Sequence, residues 1–211
     1  MHVLIVGANG QIGRQLVRRL GPSRHEVRAM ARNPEQQPEL AALGAAETVV
    51  ADLERDITQA VRGVDTVIFT AGSGPHTGPS KTESVDRDGA IRIIDAAVAA
   101  GASRFVMVSA MRTECPEQAP ERLRHYLTAK RVADDHLKAT DLDWTILRPG
   151  RLTDDDGSGR VHAGEGLQYG EVPRADVAAF LAALIDAENT HRRTIDVVQG
   201  ETPVKEAVRS L

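Results

Sequence analysis

Val3-Leu4-Ile5-Val6-Gly7-Ala8-Asn9-Gly10-Gln11-Ile12-Gly13 opens the chain. Its first four residues are apolar without alternation and three of them are β-branched, the pattern of a short strand buried on both faces. Glycines spaced three apart follow at once. Gly7 permits a tight turn, Gly10 lets the backbone approach a pyrophosphate, and Gly13 lets the next helix pack close to the strand. Asn9, Gln11 and Ile12 complete the turn. A helix starting there offers free N–H groups and a positive dipole end to an anion.

Outward from this turn the same kind of apolar run recurs at Val27-Met30, Thr48-Val50, Thr66-Phe69, Arg104-Ser109 and Thr145-Leu147. Helical spacing fills the intervals at Gln11-Leu20, Pro34-Leu43, Ile57-Arg62, Ser84-Ala100 and Leu123-Ala139. In the fourth of these, Ala90, Ile94, Ala97 and Val98 recur on one face. Strict alternation with short connections implies parallel strands joined by right-handed crossovers. The expected fold is therefore α/β, a doubly wound parallel sheet of the Rossmann type in strand order 3-2-1-4-5-6, with Thr194-Val198 a candidate seventh strand. Thr153-Gly170 is rich in Asp and Gly and reads as a loop near the substrate side. Past Pro173, Val177, Phe180, Leu181 and Leu184 give a last helix its apolar face. Residues 1–211 then form one nucleotide-binding domain, with 150–211 a small substrate-side extension.

A chain of 211 residues with 41% hydrophobic content is long enough to bury a core. A net charge of -4 argues against a protein built to neutralise nucleic-acid phosphates. There is no apolar stretch long enough to span a bilayer, so neither nucleic acid nor membrane is an expected partner. With one cysteine and no signal-peptide pattern at the start, a cytoplasmic protein is expected.

Where NAD-specific sites place an acidic residue, about twenty residues past the glycines, this chain has Arg32 and Asn33. As a residue alone, Arg32 fits an ordinary solvated strand end. In this context its guanidinium matches a 2′-phosphate, and no carboxylate stands there to repel one. NADP(H) is the preferred cofactor, with NAD(H) as the alternative. Asp52 and Leu53 follow the third strand, and Ala71 and Gly72 the fourth, at the sheet edge where ligands bind. Asp52 either holds the adenine amino group, with Leu53 over the ring, or caps the helix near Asp56-Arg62.

Taken together, these residues resemble the short-chain dehydrogenase/reductase superfamily in its extended or atypical branch, with epimerase/dehydratase-like and NmrA-like members. The resemblance rests on Gly7-x-x-Gly10-x-x-Gly13, Arg32, Asp52-Leu53, Ala71-Gly72, Val85-Asp86-x-x-Gly89, Val108-Ser109, Tyr126-x-x-x-Lys130 and Leu147-Arg148-Pro149-Gly150. It implies that Tyr126 donates or accepts the proton, that Lys130 holds the nicotinamide ribose, and that Ser109, with Thr113 as an alternative, bonds the reacting carbonyl. It also brings Pro149 and Gly150 towards the nicotinamide. Four residues apart on a helix, phenol and ammonium share a face, and a cation so placed is expected to lower the phenol's pKa. Ala129, Val132, Ala133 and Leu137 are the expected buried stripe of that helix. The chain departs from extended members in having Asp86 where they carry Asn, and in its short segment after Pro149, which disfavours a bulky nucleotide-sugar substrate.

The histidines show no metal-ligand spacing and one cysteine builds no cluster, so no metal is expected. Asp154-Asp155-Asp156 reads as a solvated loop, His125 as a partly exposed bystander, and Cys115 has no base beside it in sequence. An NADP(H)-dependent oxidoreductase acting on a small carbonyl or conjugated acceptor fits these residues best, as a monomer or homodimer. A non-catalytic NADP(H) sensor of the NmrA-like kind and a sugar epimerase or dehydratase are the alternatives.

Overall fold

Along the first strand, Val3 and Ile5 turn to one face and Leu4 and Val6 to the other, the two-residue period of an extended chain. Both pairs are fully buried, so helices must cover both faces. The computed structural model describes residues 1–74 and 77–211. Its strands are β1 (His2–Val6), β2 (Glu26–Ala31), β3 (Glu47–Val50), β4 (Thr66–Phe69), β5 (Arg104–Val108), β6 (Asp143–Pro149), β7 (Arg151–Thr153), β8 (Arg160–Gly164), β9 (Glu171–Pro173), β10 (Arg193–Gln199) and β11 (Thr202–Pro203). The helices are α1 (Gln11–Leu20), α2 (Gln37–Ala42), α3 (Thr58–Val61), α4 (Pro79–Lys81), α5 (Asp88–Ala99), α6 (Glu121–Lys138), α7 (Arg174–Leu184) and α8 (Val204–Arg209).

The main sheet runs β11-β8-β10-β6-β5-β4-β1-β2-β3, which contains the expected order 3-2-1-4-5-6. Every pair from β3 to β10 is parallel, and β8 and β11 close the edge antiparallel. On one face α1 and α7 bury Leu16, Val17, Phe180 and Leu181 against Val3, Ile5 and Val106. On the other, α5 and α6 bury Ile93, Ile94, Ala133 and Leu137 against Leu4, Phe69 and Met107. Each large apolar side chain so buried contributes roughly 1.5–3 kcal/mol.

The candidate seventh strand forms as β10, parallel to β6. Residues 153–170 are not a plain loop, since they contain β8, paired antiparallel with β10. One place in from the two-residue edge strand β11, β8 buries one residue fully, Val161, which leaves no apolar run to read. The fourth helical stretch also differs, because residues Thr82–Arg87 form a π segment before α5 begins. On α6, Val132 is 40% exposed while Lys130 and Asp134 lie inside with Ala129, Ala133 and Leu137. At 100° per residue Val132 faces away from Lys130, so the true buried stripe carries charge.

The sheet's order reverses between β1 and β4, and ligand crevices open at such points beyond the carboxyl ends. A Cβ on Gly7 would lie 2.6 Å from the Ala71 backbone nitrogen, so the loops after β1 and β4 touch there. A Cβ on Gly13 would lie 2.2 Å from the Gly7 carbonyl oxygen, against 3.2 Å for one on Gly10. Gly13→Ala is therefore expected to cost about 1–3 kcal/mol by overpacking, despite alanine's better helix propensity. Gly10→Ala should cost less. Chemical denaturation of both variants checks this, and equal stability of Gly13→Ala and the parent chain would refute the packing role.

Candidate functional site

The glycine turn ends in a bare helix terminus. Gly7 has φ +80, in the left-handed region, and the Gly10 N–H donates to the Gly7 carbonyl at 2.9 Å. Gly10 caps α1 with no side-chain hydrogen bond, so the first N–H groups of α1 are left for a ligand or water. Asn9 is held from behind, its Oδ1 accepting from Arg14 at 2.9 Å. Ile12 is buried. Gln11 reaches across to Asp154 at 3.1 Å, and Asp154 also takes Arg174 at 2.7 Å. The acidic run thus touches the phosphate-binding turn, a contact between residues 143 apart in sequence.

On the β2–β3 side of the turn lies a cavity of about 560 Å³ walled by Arg32, Asn33, Asp52, Glu54, Arg55 and Lys81. Asp52 does not cap the helix near Asp56-Arg62. Its Oδ1 accepts from the Glu54 N–H at 3.0 Å, while Asp56 accepts from Thr58. Leu53 is buried and packs on Gly89, where a Cβ would lie 2.9 Å from its own. Arg55, Glu54 and Lys81 went unread in the sequence because the loop has no period. For Glu54 and Arg55 the sole signal was their place just after β3, whereas Lys81 comes from α4, after β4. Lys81 pairs with Glu54 and holds its carboxyl below the usual range.

On the opposite side, α6 lines up Tyr126, Lys130 and Asp134 at four-residue steps. Lys130 is 2% exposed, and its Nζ donates to the Val108 carbonyl at 2.8 Å. It also stands 5.5 Å from the centre of the Phe69 ring. The Ser109 hydroxyl donates to Asp134 Oδ2 at 2.6 Å, joined by the Thr113 hydroxyl at 3.3 Å. Burial pushes the Asp134 carboxyl up to about 6, and the bond from Ser109 and the charge of Lys130 only partly oppose this. Asp134 was missed in the sequence. Its signal was a charged residue four past Lys130 on the same face.

Tyr126 retains partial exposure, yet its phenol is pushed up, first by burial and then by Asp86 and Asp134. The expected lowering by Lys130 does not prevail, because the ammonium is drawn to Val108 and two carboxylates face the phenol. Asp86 is fully buried in the π segment, its Oδ2 accepting from the Ser73 N–H at 3.0 Å. Among the described residues its Oδ1 has no hydrogen-bond partner. A Cβ on Gly72 would come within 3.2 Å of that oxygen. π segments often mark functional sites.

Pro149 and Gly150 tie this edge together. The Pro149 carbonyl accepts from Met111 at 3.1 Å, and the Gly150 N–H donates to Val197 at 3.0 Å. At the mouth, Arg112 has φ +74, uncommon for a side chain other than glycine. Its guanidinium lies 3.8 Å over the Tyr169 ring. His125 is exposed beside Glu83, and Cys115 is a free thiol. Among the described residues no cluster of His, Cys, Asp or Glu could hold a metal, and no helix is long and apolar enough to cross a membrane.

With Asp134 titrating near 6 in the fold, against about 3.9 in an unfolded chain, the folded state takes up the proton first. The resulting stabilisation is full below about pH 4 and is lost as pH rises through about 6. The stability of the parent chain relative to Asp134→Asn should fall by about 2–3 kcal/mol over that window. Urea midpoints measured across it provide the check, and a flat difference would mean an ordinary carboxyl.

Comparison with known proteins identifies the family and the fold. The pattern of the NAD(P)H-binding family matches residues 7–188. The uncharacterized sugar epimerase YhfK of Bacillus subtilis is 45% identical over 215 residues, covering 100% of both chains. A solved Bacillus halodurans structure with the provisional name NAD-dependent epimerase/dehydratase superposes with a TM-score of 0.97 at 46% identity, over 100% of both chains. The oxidoreductase ylbE of Lactococcus lactis gives 0.90 at 29% identity, over 100% of this chain and 96% of that one. The chain belongs to the NAD(P)H-binding family of Rossmann-fold proteins.

Proposed function

We propose that the protein is an NADP(H)-dependent oxidoreductase acting on a small carbonyl or conjugated acceptor. The observation that carries this reading is a bare glycine-turn helix terminus where the sheet order reverses, in a chain that also sets the buried Ser109 and Lys130 and the partly exposed Tyr126 at the end of β5 and on α6. The turn from Gly7 to Gly13, with Asn9, Gln11 and Ile12, would hold the pyrophosphate. Asp52, with the apolar Val50 beside it, suits the adenosine end. Arg32 and Arg55 on the same cavity wall suit a 2′-phosphate, and Lys81 pairs with the Glu54 carboxylate that shares the wall. Ala71, Gly72, Pro149 and Gly150 border the nicotinamide end.

The cofactor supplies hydride chemistry when bound. This chain's residues do the rest. A phenol pushed upward stays protonated at neutral pH, so Tyr126 holds a proton to give, as a weaker acid than an ordinary phenol. Lys130, anchored on Val108, holds the ribose side, and Ser109 addresses the acceptor oxygen. Arg112 and Tyr169 frame the mouth. The name of the Bacillus subtilis relative favours an epimerase or dehydratase as a second reading, in which the cofactor is recycled instead of consumed.

Parallel titrations with NADPH and NADH, followed by nicotinamide fluorescence, test the cofactor assignment. Arg32→Ala should weaken NADPH by about 1.5–3 kcal/mol, the scale of a hydrogen bond to a charged group, and barely change NADH. Equal losses would remove the basis for NADP preference. Tyr126→Phe should abolish turnover in a carbonyl panel while NADPH affinity stays nearly intact. Unchanged turnover would sink its role as the acid, and cofactor that persists through turnover would favour the epimerase.

A further inference from the structure

Ser109 is expected to donate a hydrogen bond to the reacting carbonyl, yet in the structure its hydrogen is already committed. The hydroxyl donates to Asp134 Oδ2 at 2.6 Å, with both residues at most 4% exposed. Thr113 donates to the same oxygen at 3.3 Å. Among the described residues, Asp134 Oδ1 has no partner. A serine has one hydrogen and two lone pairs. While a carboxylate holds that hydrogen, the hydroxyl can offer substrate only a lone pair.

We propose that Asp134 is a positioning residue that sets the direction of the Ser109 hydrogen bond: as a carboxylate it turns Ser109 into an acceptor, and as a carboxylic acid it turns Ser109 into a donor. The accepting state fits an alcohol O–H and the donating state a carbonyl oxygen. The inference rests on the oxidoreductase reading, in which Ser109 faces the reacting oxygen. The switch takes one proton from solvent onto the carboxylate. The acid then donates to Ser109 Oγ, and the Ser109 hydrogen swings to the substrate. No covalent bond other than this O–H changes.

The surroundings make the carboxyl a usable switch. Lys130, Lys138 and Tyr126 are the charged and titratable neighbours on its own helix. Asp86 adds negative charge at Tyr126 from the π segment packed on α6. The segment after β5 meets Asp134 with the hydroxyls of Ser109 and Thr113. On α5, Asp95 is engaged with His136 in an exposed pair at 2.7 Å. Burial outweighs the two lysines, which brings the change of state near neutral pH.

Two measurements on the full chain test this. In the first, infrared difference spectra follow the protonated carboxyl band as pH falls from about 8 to about 4, without substrate. Asp134→Asn should abolish the band assigned to this residue. Ser109→Ala should move its midpoint upward, because a donor to the carboxylate is lost. A midpoint that Ser109→Ala leaves in place would overturn the proposal. In the second, NADPH oxidation is followed with 4-nitrobenzaldehyde as the probe. The parent rate should decline by about tenfold per pH unit above the carboxyl midpoint. Asp134→Asn, whose amide N–H permanently donates to Ser109, should flatten that decline, an effect that mere structural support would not produce. A decline unchanged in Asp134→Asn would also overturn the proposal. Absence of NADPH oxidation by the parent chain with any panel carbonyl would count against the oxidoreductase reading itself, and the infrared midpoints would still decide the coupling of Ser109 to Asp134.

Discussion

The close approach of backbone to backbone at the first turn governs how the rest of the site is assembled. With 2.2 Å between a notional Gly13 Cβ and the Gly7 carbonyl, and 2.6 Å between a notional Gly7 Cβ and Ala71, neither position has room for a side chain. Because α1 starts directly against β1, its free N–H groups face the crevice where the sheet order reverses. Because the loop after β4 touches Gly7, the segment leading to Asp86 is drawn to the same place. In the proposed function a nucleotide-binding end and a proton-handling end would thereby share one cleft.

The proton-handling end is built from charge buried on a helix. Lys130, Asp134 and Asp86 are each at most 3% exposed, and unpaired burial of any one would be costly. They lower that cost by mutual attraction and by bonds to Val108, Ser109, Thr113 and Ser73. Buried ionic groups of this kind are weak evidence for stability. Their collection beside a phenol whose pKa is raised by burial and then by the two carboxylates points to chemistry. Such a group keeps the phenol protonated at neutral pH and lifts the Asp134 carboxyl to about 6.

Much of this was legible in the residues. The apolar runs, the glycine spacing and the helical intervals sufficed for the sheet order, and the run Thr194-Val198 was legible as the strand beside β6. The misreadings have physical causes. Val132 looked like core because apolarity was weighed before angle, and β8 looked like loop because its single fully buried residue, Val161, leaves no apolar run. Asp134 stayed hidden since a lone aspartate on a helix is usually solvated. Arg55 and Lys81 lie in segments without period, where sequence spacing says nothing about proximity.

What the sequence determined by itself was the alternation of elements, the place of the phosphate-binding turn and the residue types at the sheet's carboxyl edge, all local properties of backbone conformation and side-chain period. Only the tertiary structure decided which of those residues meet. The hydrogen of Ser109 goes to an aspartate 25 positions away, Gln11 meets Asp154, and Arg112 stacks on Tyr169. The first joins the end of β5 to the helix that follows it, and the other two join segments far apart in sequence. The pKa of each buried group follows from that assembled environment, since desolvation and neighbouring charge exist only once the chain has folded.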